Sequence, residues 1–440
     1  MLVRFSFSNF KTFRDESQIS LVATPDTARR SDNVAENLPF NLSLLKSAVV
    51  YGANASGKSK MMEALSFMKQ FAINSSIQSQ KGQPVDVEPF LLDTVSSASP
   101  STFEVIFIHK SQLFRYGFEV NRQEVTAEWL YHRPKTKEVE IFYREEQEFE
   151  IHPRLFAKGA TLAKEKLIRS NALMLSVAAQ FNDKLAGDVI DWFNKLRIIS
   201  GIKESVYAGF SMRMSREPDY KHKILELMQA ADLGIEDISF KTSEVGNLSP
   251  DAPAYFREIR QNPGDNQAYE AYQKPVTAHS IYDKAYKKQG TVGFSMEKHE
   301  SHGTQKFFYL TGPILDALEN GLVLVVDELD SNIHPSLVNK IVGLFNSGKI
   351  NRHHAQLIFN THNTTLLDSD LFRRDQIWFA EKDQYGAAKL FSLADFKSDV
   401  RKTEDFERNY LLGKYGAVPI VEDFGQQYLA VTAKQNANDY

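Results

Sequence analysis

The chain has no cysteine among its 440 residues. Disulfides, thiol catalysis and zinc sites built on cysteine thiolates are therefore excluded. Charge of one sign is also lacking, since 52 Lys and Arg stand against 56 Asp and Glu and the formal net charge is −4. The composition as a whole thus gives no support for general nucleic-acid binding by a polycationic surface.

Long apolar runs are missing as well. The longest, Leu322 to Val326, is far too short to span a bilayer. The first 16 residues alternate apolar and polar side chains, without the continuous apolar segment of a secretory signal. Apolar residues make up 42% of the chain, which is ordinary for a globular protein. We expect a soluble cytoplasmic protein with a sizeable core and no membrane partner.

Residues 52–59, GANASGKS, match the phosphate-binding motif G-x-x-x-x-G-K-[ST]. The apolar run at 46–51 predicts a buried strand before the motif, and an apolar stripe after it predicts a helix. Glycines let such a loop curl so that its N–H groups point at a phosphate, and the helix adds its positive end. The residues expected to bind the nucleotide here are Gly52, Asn54, Ala55, Ser56, Gly57, Lys58 and Ser59.

Two of these residues have specific expected roles. Lys58 would reach the β- and γ-phosphates as a point charge, and the Ser59 hydroxyl would ligate Mg²⁺. The apolar run 322–326 is followed by Asp327 and Glu328, at the strand end where α/β sheets place ligands. Asp327 would hold Mg²⁺, directly or through water, and Glu328 would orient or deprotonate the attacking water. A solvated acidic turn is the alternative.

Two further features are weaker taken alone. The stretch LIFNTHN, residues 357–363, looks like an apolar strand that ends in polar residues. His362 at this end could contact a γ-phosphate, although a lone histidine is more often a core or surface residue. Ser301, Gly303 and Thr304 form a small-residue turn at the start of a predicted helix, which would make a second anion-binding surface. An ordinary helix cap is the other interpretation of that turn.

In chain order, the four motifs GANASGKS, SHGTQ, VLVVDE and THN resemble those of the ABC-type ATPases, in particular the cytoplasmic branch with SMC proteins, RecF and OLD (overcoming lysogenisation defect) enzymes. FSNFKTFRD near the N-terminus and RNYLLGKYGAVP near the C-terminus look like the prokaryotic OLD-related ATPases. ATPases of phage-defence systems such as PARIS and Septu belong near this group. The resemblance covers residues 1–80 and 295–420, and the middle matches only loosely.

The resemblance implies ATP and Mg²⁺ as cofactors, with the roles given above for the lysine, serine and acidic residues and with His362 as a switch histidine. Ser301 and Gly303 would correspond to the ABC signature, which acts on ATP held by a second subunit, and Thr304 of the same turn would also bind the nucleotide. Asp330 would fall in the segment that crosses the dimer interface. The first implied partner is therefore the chain itself, in a head-to-head dimer or a larger oligomer that ATP closes.

The resemblance also implies a fold class: α/β, an ABC-type P-loop ATPase head with a mixed sheet, an antiparallel β subdomain and an inserted mainly helical arm. Residues 1–160 would form an N-terminal lobe with the Walker A motif and a β meander. Residues 161–294 would form the arm, whose prolines and lack of heptads argue against a coiled coil. Residues 295–440 would carry the signature, the Walker B acids and the switch histidine. Gln180 is one candidate for the glutamine loop, with a helix surface as its alternative.

Three function hypotheses follow. No zinc hook can form without cysteine, and the 78 residues after His362 are too few for the Toprim domain of OLD nucleases. The resemblance to phage-defence ATPases implies an ATPase sensor or scaffold that controls a separate nuclease or toxin in prokaryotic antiphage defence, and the lack of a visible effector domain supports this. The alternative is a DNA-repair clamp of the SMC/RecF type, with the basic stretch 284–290 either on DNA or simply solvated. The long insert and the SHGTQ signature argue against a transporter subunit.

Overall fold

The computed structural model describes residues 1–78, 80–202, 205–231, 233–242, 273–396 and 405–419. Its strands are β1 (Leu2–Ser8), β2 (Ser17–Ser20), β3 (Val34–Ala35), β4 (Leu44–Leu45), β5 (Ser47–Tyr51), β6 (Ser101–His109), β7 (Gln112–Val120), β8 (Val125–Arg133), β9 (Val139–Glu145), β10 (Glu148–Ile151), β11 (Leu196–Ser200), β12 (Asp237–Thr242), β13 (Gln273–Tyr282), β14 (Lys288–Ser295), β15 (Val323–Asp327), β16 (Gln356–Asn360), β17 (Ile377–Lys382) and β18 (Ala388–Ser392).

The α-helices are α1 (Arg30–Asn33), α2 (Lys58–Gln78), α3 (Ala157–Lys164), α4 (Met174–Gln180), α5 (Lys184–Lys195), α6 (Ser205–Met214), α7 (Pro218–Ala230), α8 (Met296–His299), α9 (His302–Asn320), α10 (Pro335–Asn346) and α11 (Phe406–Leu411). Short 3-10 turns lie at Pro39–Asn41, Ser96–Ala98, Thr364–Leu366, Arg374–Gln376 and Leu393–Asp395. Among the described residues no helix is both long and apolar enough to cross a membrane.

A six-stranded sheet in the order β11-β15-β16-β5-β17-β18 forms the centre of the molecule. Its first five strands are parallel, and β18 adds an antiparallel edge. Alternate residues of one strand enter two different apolar clusters, as Val50 and Val49 of β5 do. Because both faces are covered, the strands are continuously apolar, as the sequence predicts for 46–51 and 322–326. The carboxyl ends of β5, β15 and β16 consequently meet at one edge.

A seven-stranded antiparallel sheet, β10-β9-β8-β7-β6-β1-β2, packs beside it. The β meander expected in the N-terminal lobe is thus confirmed. The aromatic residues of the meander are buried in the core: Phe103, Phe107, Phe114, Tyr116 and Phe118. The P-loop helix α2 lies between the two sheets and buries Met62, Leu65 and Met68 there. The fold is therefore the α/β arrangement of a P-loop ATPase head.

The middle of the chain differs in part from its sequence-based prediction. For residues 161–294 the sequence predicts mainly helices, and α4 to α7 agree with this. The structure adds two kinds of strand: β11 joins the central sheet beside β15, and β12 to β14 form a separate three-stranded sheet. Most side chains of β14 are exposed on both faces, so the sequence of β14 lacks the apolar alternation that predicts a strand. Residues 243–272 of the predicted arm lie outside the described residues.

Candidate nucleotide-binding site

The loop between β5 and α2 has the conformation that its glycines permit. Gly52 has φ +152° and Gly57 has φ +110°, in a region that side chains disfavour. A Cβ atom on Gly52 would lie 2.3 Å from the carbonyl oxygen of Ala380 in β17. One on Gly57 would lie 3.1 Å from the ring of Phe13. Close packing therefore excludes a side chain at Gly52, and the positive φ disfavours one at Gly57.

The remaining P-loop residues divide into an exposed tip and a buried base. Asn54 and Ala55 lie exposed at the tip, and Ala55 has φ +61°. Ser56 is 3% exposed, and its Oγ is buried without a hydrogen-bond partner. A buried hydroxyl of this kind is costly unless a ligand or water completes it. The loop therefore fits a phosphate group on the evidence of its own polar atoms.

Lys58 begins α2 and bends back onto the loop. Its Nζ donates to the carbonyl oxygens of Gly52 at 2.7 Å and Ala53 at 3.0 Å. Burial lowers the pKa of Lys58 to about 8, against the opposing effect of Glu328 and Asp327. The ammonium is thus charged at pH 7 but poorly solvated, so an arriving anion is strongly favoured.

A hydrogen-bonded network joins the P-loop helix to β16, which lies beside β5, and to β15, the next strand of the sheet. Ser59 Oγ donates to Asp327 Oδ1 at 2.8 Å, and Asn360 Nδ2 donates to the same oxygen at 2.5 Å. Asn360 Oδ1 in turn accepts from the backbone N–H of Glu328 at 2.5 Å. A serine hydroxyl and a carboxylate are ligands that suit Mg²⁺. The structure therefore brings together the two residues that the sequence suggested for the metal.

Sequence reasoning missed Asn360. The residue is fully buried at the end of β16, and in the sequence it reads as part of the strand before His362. The only sequence signal for Asn360 is that it is a polar residue at the end of an apolar strand, and that signal becomes useful once β16 is known to lie beside β15. Asn360 bonds the side chain of Asp327 and the backbone N–H of Glu328, so it holds both acids in place.

Asn360→Ala is expected to lower ATP turnover by about 10- to 100-fold, with ATP affinity nearly unchanged. It should also lower the free energy of unfolding by about 1–3 kcal/mol, because buried partners lose their bonds. Asn351→Ala is the matched control, since Asn351 is equally buried and bonds the backbone of Phe345 and Ala355. Steady-state phosphate release and chemical denaturation measure the two effects. Equal turnover loss in both variants would leave Asn360 with a stabilising role alone.

Glu328 has an unusual backbone conformation for a non-glycine residue, with φ +57°. Two neighbours hold it: Lys306 Nζ donates to the carbonyl oxygens of Glu328, at 3.2 Å, and Ser331. On the other side Gly201 packs so closely that a Cβ atom would lie 2.1 Å from the oxygen of Glu328, while its N–H donates to Asp327 O at 2.5 Å. Strain that is held in this way is typical of functional positions.

The small-residue turn starts α9, as predicted. Ser301 is the N-cap, and its Oγ accepts from the N–H of Thr304 at 3.1 Å. Among the described residues no protein acceptor bonds the N–H of His302 or Gly303, as expected for a helix start. A Cβ atom on Gly303 would lie 2.8 Å from Asn332 O, so the turn packs against the loop after the acids. The turn is therefore a helix N-cap.

Two other predicted residues lie in different places. His362 follows β16 at the edge of the central sheet; its side chain is exposed, and its N–H donates to Asp330 Oδ2 at 3.4 Å. Gln180 is the exposed last residue of α4. That helix bonds the far end of α2, where Ser176 Oγ is 2.8 Å from Ser76 Oγ, roughly 27 Å along the helix from the P-loop at 1.5 Å per residue. The helix-surface alternative for Gln180 is therefore confirmed.

Comparisons with solved structures give distant similarity. The chain is 14% identical to the SMC head domain from Thermotoga maritima, covering 89% of this chain and 98% of that one with a TM-score of 0.41. It is 11% identical to an SmcHead bound to the C-winged helix domain of ScpA, with 89% and 97% coverage and a TM-score of 0.41. A Smc head with an extended coiled coil, bound to the C-terminal domain of ScpA derived from Pyrococcus furiosus, is 11% identical over 89% and 96%, with a TM-score of 0.35. Comparison with curated proteins gives no match.

The family comparison covers most of the site. Residues 47–368 match the family described as "AAA domain, putative AbiEii toxin, Type IV TA system". The matched range begins at β5, contains the P-loop, the α9 turn and both acids, and ends just after β16. Since it spans well over half of the chain, the protein belongs to this family of AAA ATPase domains.

Proposed function

We propose that the chain binds ATP with Mg²⁺ and hydrolyses the nucleotide. The observation that carries the proposal is the network in which Ser59 and Asn360 converge on one oxygen of Asp327, with Glu328 held beside it. A structural ion pair would need neither the strained backbone of Glu328 nor the tightly packed glycine loop. Together these features position a metal-binding pair and a second acid next to a phosphate cradle.

Each residue then has a definite task. Lys58 and the loop N–H groups bind the phosphates, with Gly52, Asn54, Ala55, Ser56 and Gly57 shaping the loop. Ser59 and Asp327 hold the metal, and Mg²⁺ when bound neutralises phosphate oxygens. Glu328 orients or deprotonates the attacking water, a task for which Asn360 and Lys306 fix its backbone. His362, which is exposed at the same sheet edge, contacts the γ-phosphate.

We further propose that two copies share each nucleotide. Ser301, Gly303 and Thr304 would bind ATP that lies in the P-loop of another copy, through the N–H groups at the start of α9. The turn is exposed at Ser301, as a surface for another copy requires. It is also mechanically connected to catalysis, because Lys306 of the same helix bonds the carbonyl of Glu328. Docking at α9 therefore acts directly on the backbone that holds the catalytic acid.

Ser301→Arg is expected to abolish ATP-dependent association while leaving ATP binding by single chains within about threefold of wild type. The long cationic side chain blocks the surface, and the lost cap costs about 1 kcal/mol. Asp405→Arg is the matched control, because Asp405 also caps an exposed helix start, that of α11. Molar mass with and without ATP measures association. Normal ATP-dependent pairing of the Ser301→Arg protein would refute the assignment of this turn.

At the cellular level we propose a sensor or scaffold that controls a separate nuclease or toxin in antiphage defence within the cytoplasm. Support comes from the resemblance of the motifs to those of OLD-related ATPases and from the family description, which names a putative toxin and a Type IV TA system. A DNA clamp is the competing function. The basic stretch 284–290 that it would use forms an exposed hairpin end between β13 and β14, and Lys288 there is paired with Glu236.

The test uses the Glu328→Gln chain, expressed at native level in its own host and purified in ATP and Mg²⁺. The proposed function predicts a stoichiometric nuclease or toxin protein that copurifies and is released when ATP is removed. The matched sample is the Lys58→Ala chain, which should bring no such partner. Bound DNA without a protein partner would replace this proposal with the clamp function.

A further inference from the structure

We propose that His109, Asp188 and Asp191 form a binding site for a transition-metal dication, separate from the nucleotide site. His109 is the last residue of β6, and the two aspartates lie one turn apart on α5. One ligand atom from each residue lies within 4.8 Å of the others. Among the described residues this is the group whose donor atoms converge in this way.

The histidine supplies an observation independent of the acidic pair. His109 is 6% exposed, and its Nε2 is buried without a hydrogen-bond partner. A buried imidazole nitrogen normally finds a donor or an acceptor. Burial, followed by the charges of Lys195 and Lys110, lowers the pKa of His109 to about 4. The ring is therefore neutral at pH 7, which is the form that coordinates metals.

The donor set decides the kind of ion. One imidazole nitrogen with two carboxylates suits Zn²⁺ or Mn²⁺, whereas Ca²⁺ and Mg²⁺ prefer oxygen ligands alone. Ligand atoms on one tetrahedral ion lie about 3.4 Å apart when the bonds are about 2.1 Å. The group must therefore contract on binding. Asp191 can provide that movement, because its side chain is 57% exposed.

Lys110 occupies the same carboxylates when no ion is bound. Its Nζ lies 2.5 Å from Asp188 Oδ1 and 3.3 Å from Asp191 Oδ2. The lysine side chain is 57% exposed, so it can turn out to solvent, and surface pairs of this kind contribute little. A dication that gains three ligands would displace it. Lys110 is thus a competitor whose removal should strengthen metal binding, which a purely structural ion-pair cluster would not do.

Binding would connect two parts of the fold. The turn after β6 belongs to the antiparallel sheet, and α5 runs directly into β11 of the central sheet. A shared ion would tie the β6 end to α5 and stabilise this junction. A structural ion of this kind needs no open coordination position, although the exposure of Asp191 leaves room for a water ligand.

The experiment titrates Zn²⁺ into full-length, chelator-treated protein without nucleotide, in an Asp327→Asn background that weakens the nucleotide-site metal. Calorimetry should show one Zn²⁺ per chain, and Co²⁺ substitution should give a visible spectrum. Asp191→Asn and His109→Gln should each weaken Zn²⁺ binding by more than about tenfold. Lys110→Met should strengthen it by about two- to fivefold. The control is His222→Gln, because His222 forms an exposed pair with Glu226 at 3.2 Å without a third ligand.

The outcome is decisive in either direction. Because Lys110 and Asp191 are exposed, their variants should fold, and circular dichroism checks this. No Zn²⁺ binding by the folded Lys110→Met protein would overturn the proposal. So would binding that is unaffected by Asp191→Asn, or that is lost equally in His222→Gln, since the ion would then lie elsewhere.

Discussion

Glu328→Gln is expected to lower ATP turnover by about 10²- to 10⁴-fold, the range for loss of a positioned acid or base, while ATP still binds. Glutamine keeps the size of the side chain and its backbone bonds to Lys306 and Asn360. The substitution removes only the negative charge of the side chain and its ability to accept a proton. The trapped nucleotide should therefore hold two chains together, which raises the molar mass in ATP and Mg²⁺.

Single-turnover phosphate release and light scattering measure these two effects. Glu297→Gln is the control for loss of one negative charge, because Glu297 is a half-exposed partner of Lys274 at 2.6 Å. It should turn over ATP normally. Wild-type turnover by the Glu328→Gln protein would mean that another group activates the water.

Lys58→Ala is expected to weaken ATP binding by about 10²-fold, since hydrogen bonds to a charged partner are lost along with the cation. Lys60→Ala is the matched control: Lys60 is on the same helix, but its side chain is 40% exposed and pairs with Glu63 at 2.7 Å. The ATP affinity of the Lys60→Ala protein should stay near that of the wild-type protein. Fluorescence titration with a labelled ATP analogue measures both, and tight binding by Lys58→Ala would refute the phosphate site.

The same lysine predicts a pH dependence. Burial lowers the pKa of Lys58 to about 8, so the free protein carries the charge below that pH and loses it above. ATP affinity should therefore be steady from pH 6.5 to about 7.5 and fall as the pH rises through 8. Lys69 lies further along α2, and its Nζ donates to the carbonyl oxygen of Leu196. Burial also lowers the pKa of Lys69 to about 8. Lys69→Met should keep the pH dependence of the wild-type protein.

The sequence predicted those parts of the site that local chemistry determines. The P-loop needs glycines at two fixed positions and lysine after the second, and the acids follow an apolar strand, so residues 52–59 and Asp327 could be found without a structure. Asn360 and Lys306 could not. Their partners are distant in sequence, and their roles depend on which strands and helices are neighbours.

The strands β12 to β14, which the sequence did not predict, differ from the central strands in burial. The central strands are buried on both faces and stand out as apolar runs, whereas β12 to β14 form a small sheet whose last strand is mostly exposed. His132 in β8 is likewise buried, stacked on Phe114 and bonded to Gln112 at 2.7 Å. Tertiary neighbours decide burial for such residues, and sequence periodicity does not report them.

The most direct test of a shared site is to mix two inactive chains. Lys58→Ala lacks its own phosphate site, and Ser301→Arg lacks the turn that completes the site of another copy. In a mixed pair, the intact P-loop of one chain faces the intact turn of the other. Because neither variant pairs with itself in ATP, only mixed pairs form, each with one complete site of two, and ATPase activity should return to about half of wild type in a symmetric dimer. No recovery from mixed, folded chains would contradict the proposal that two copies share each nucleotide.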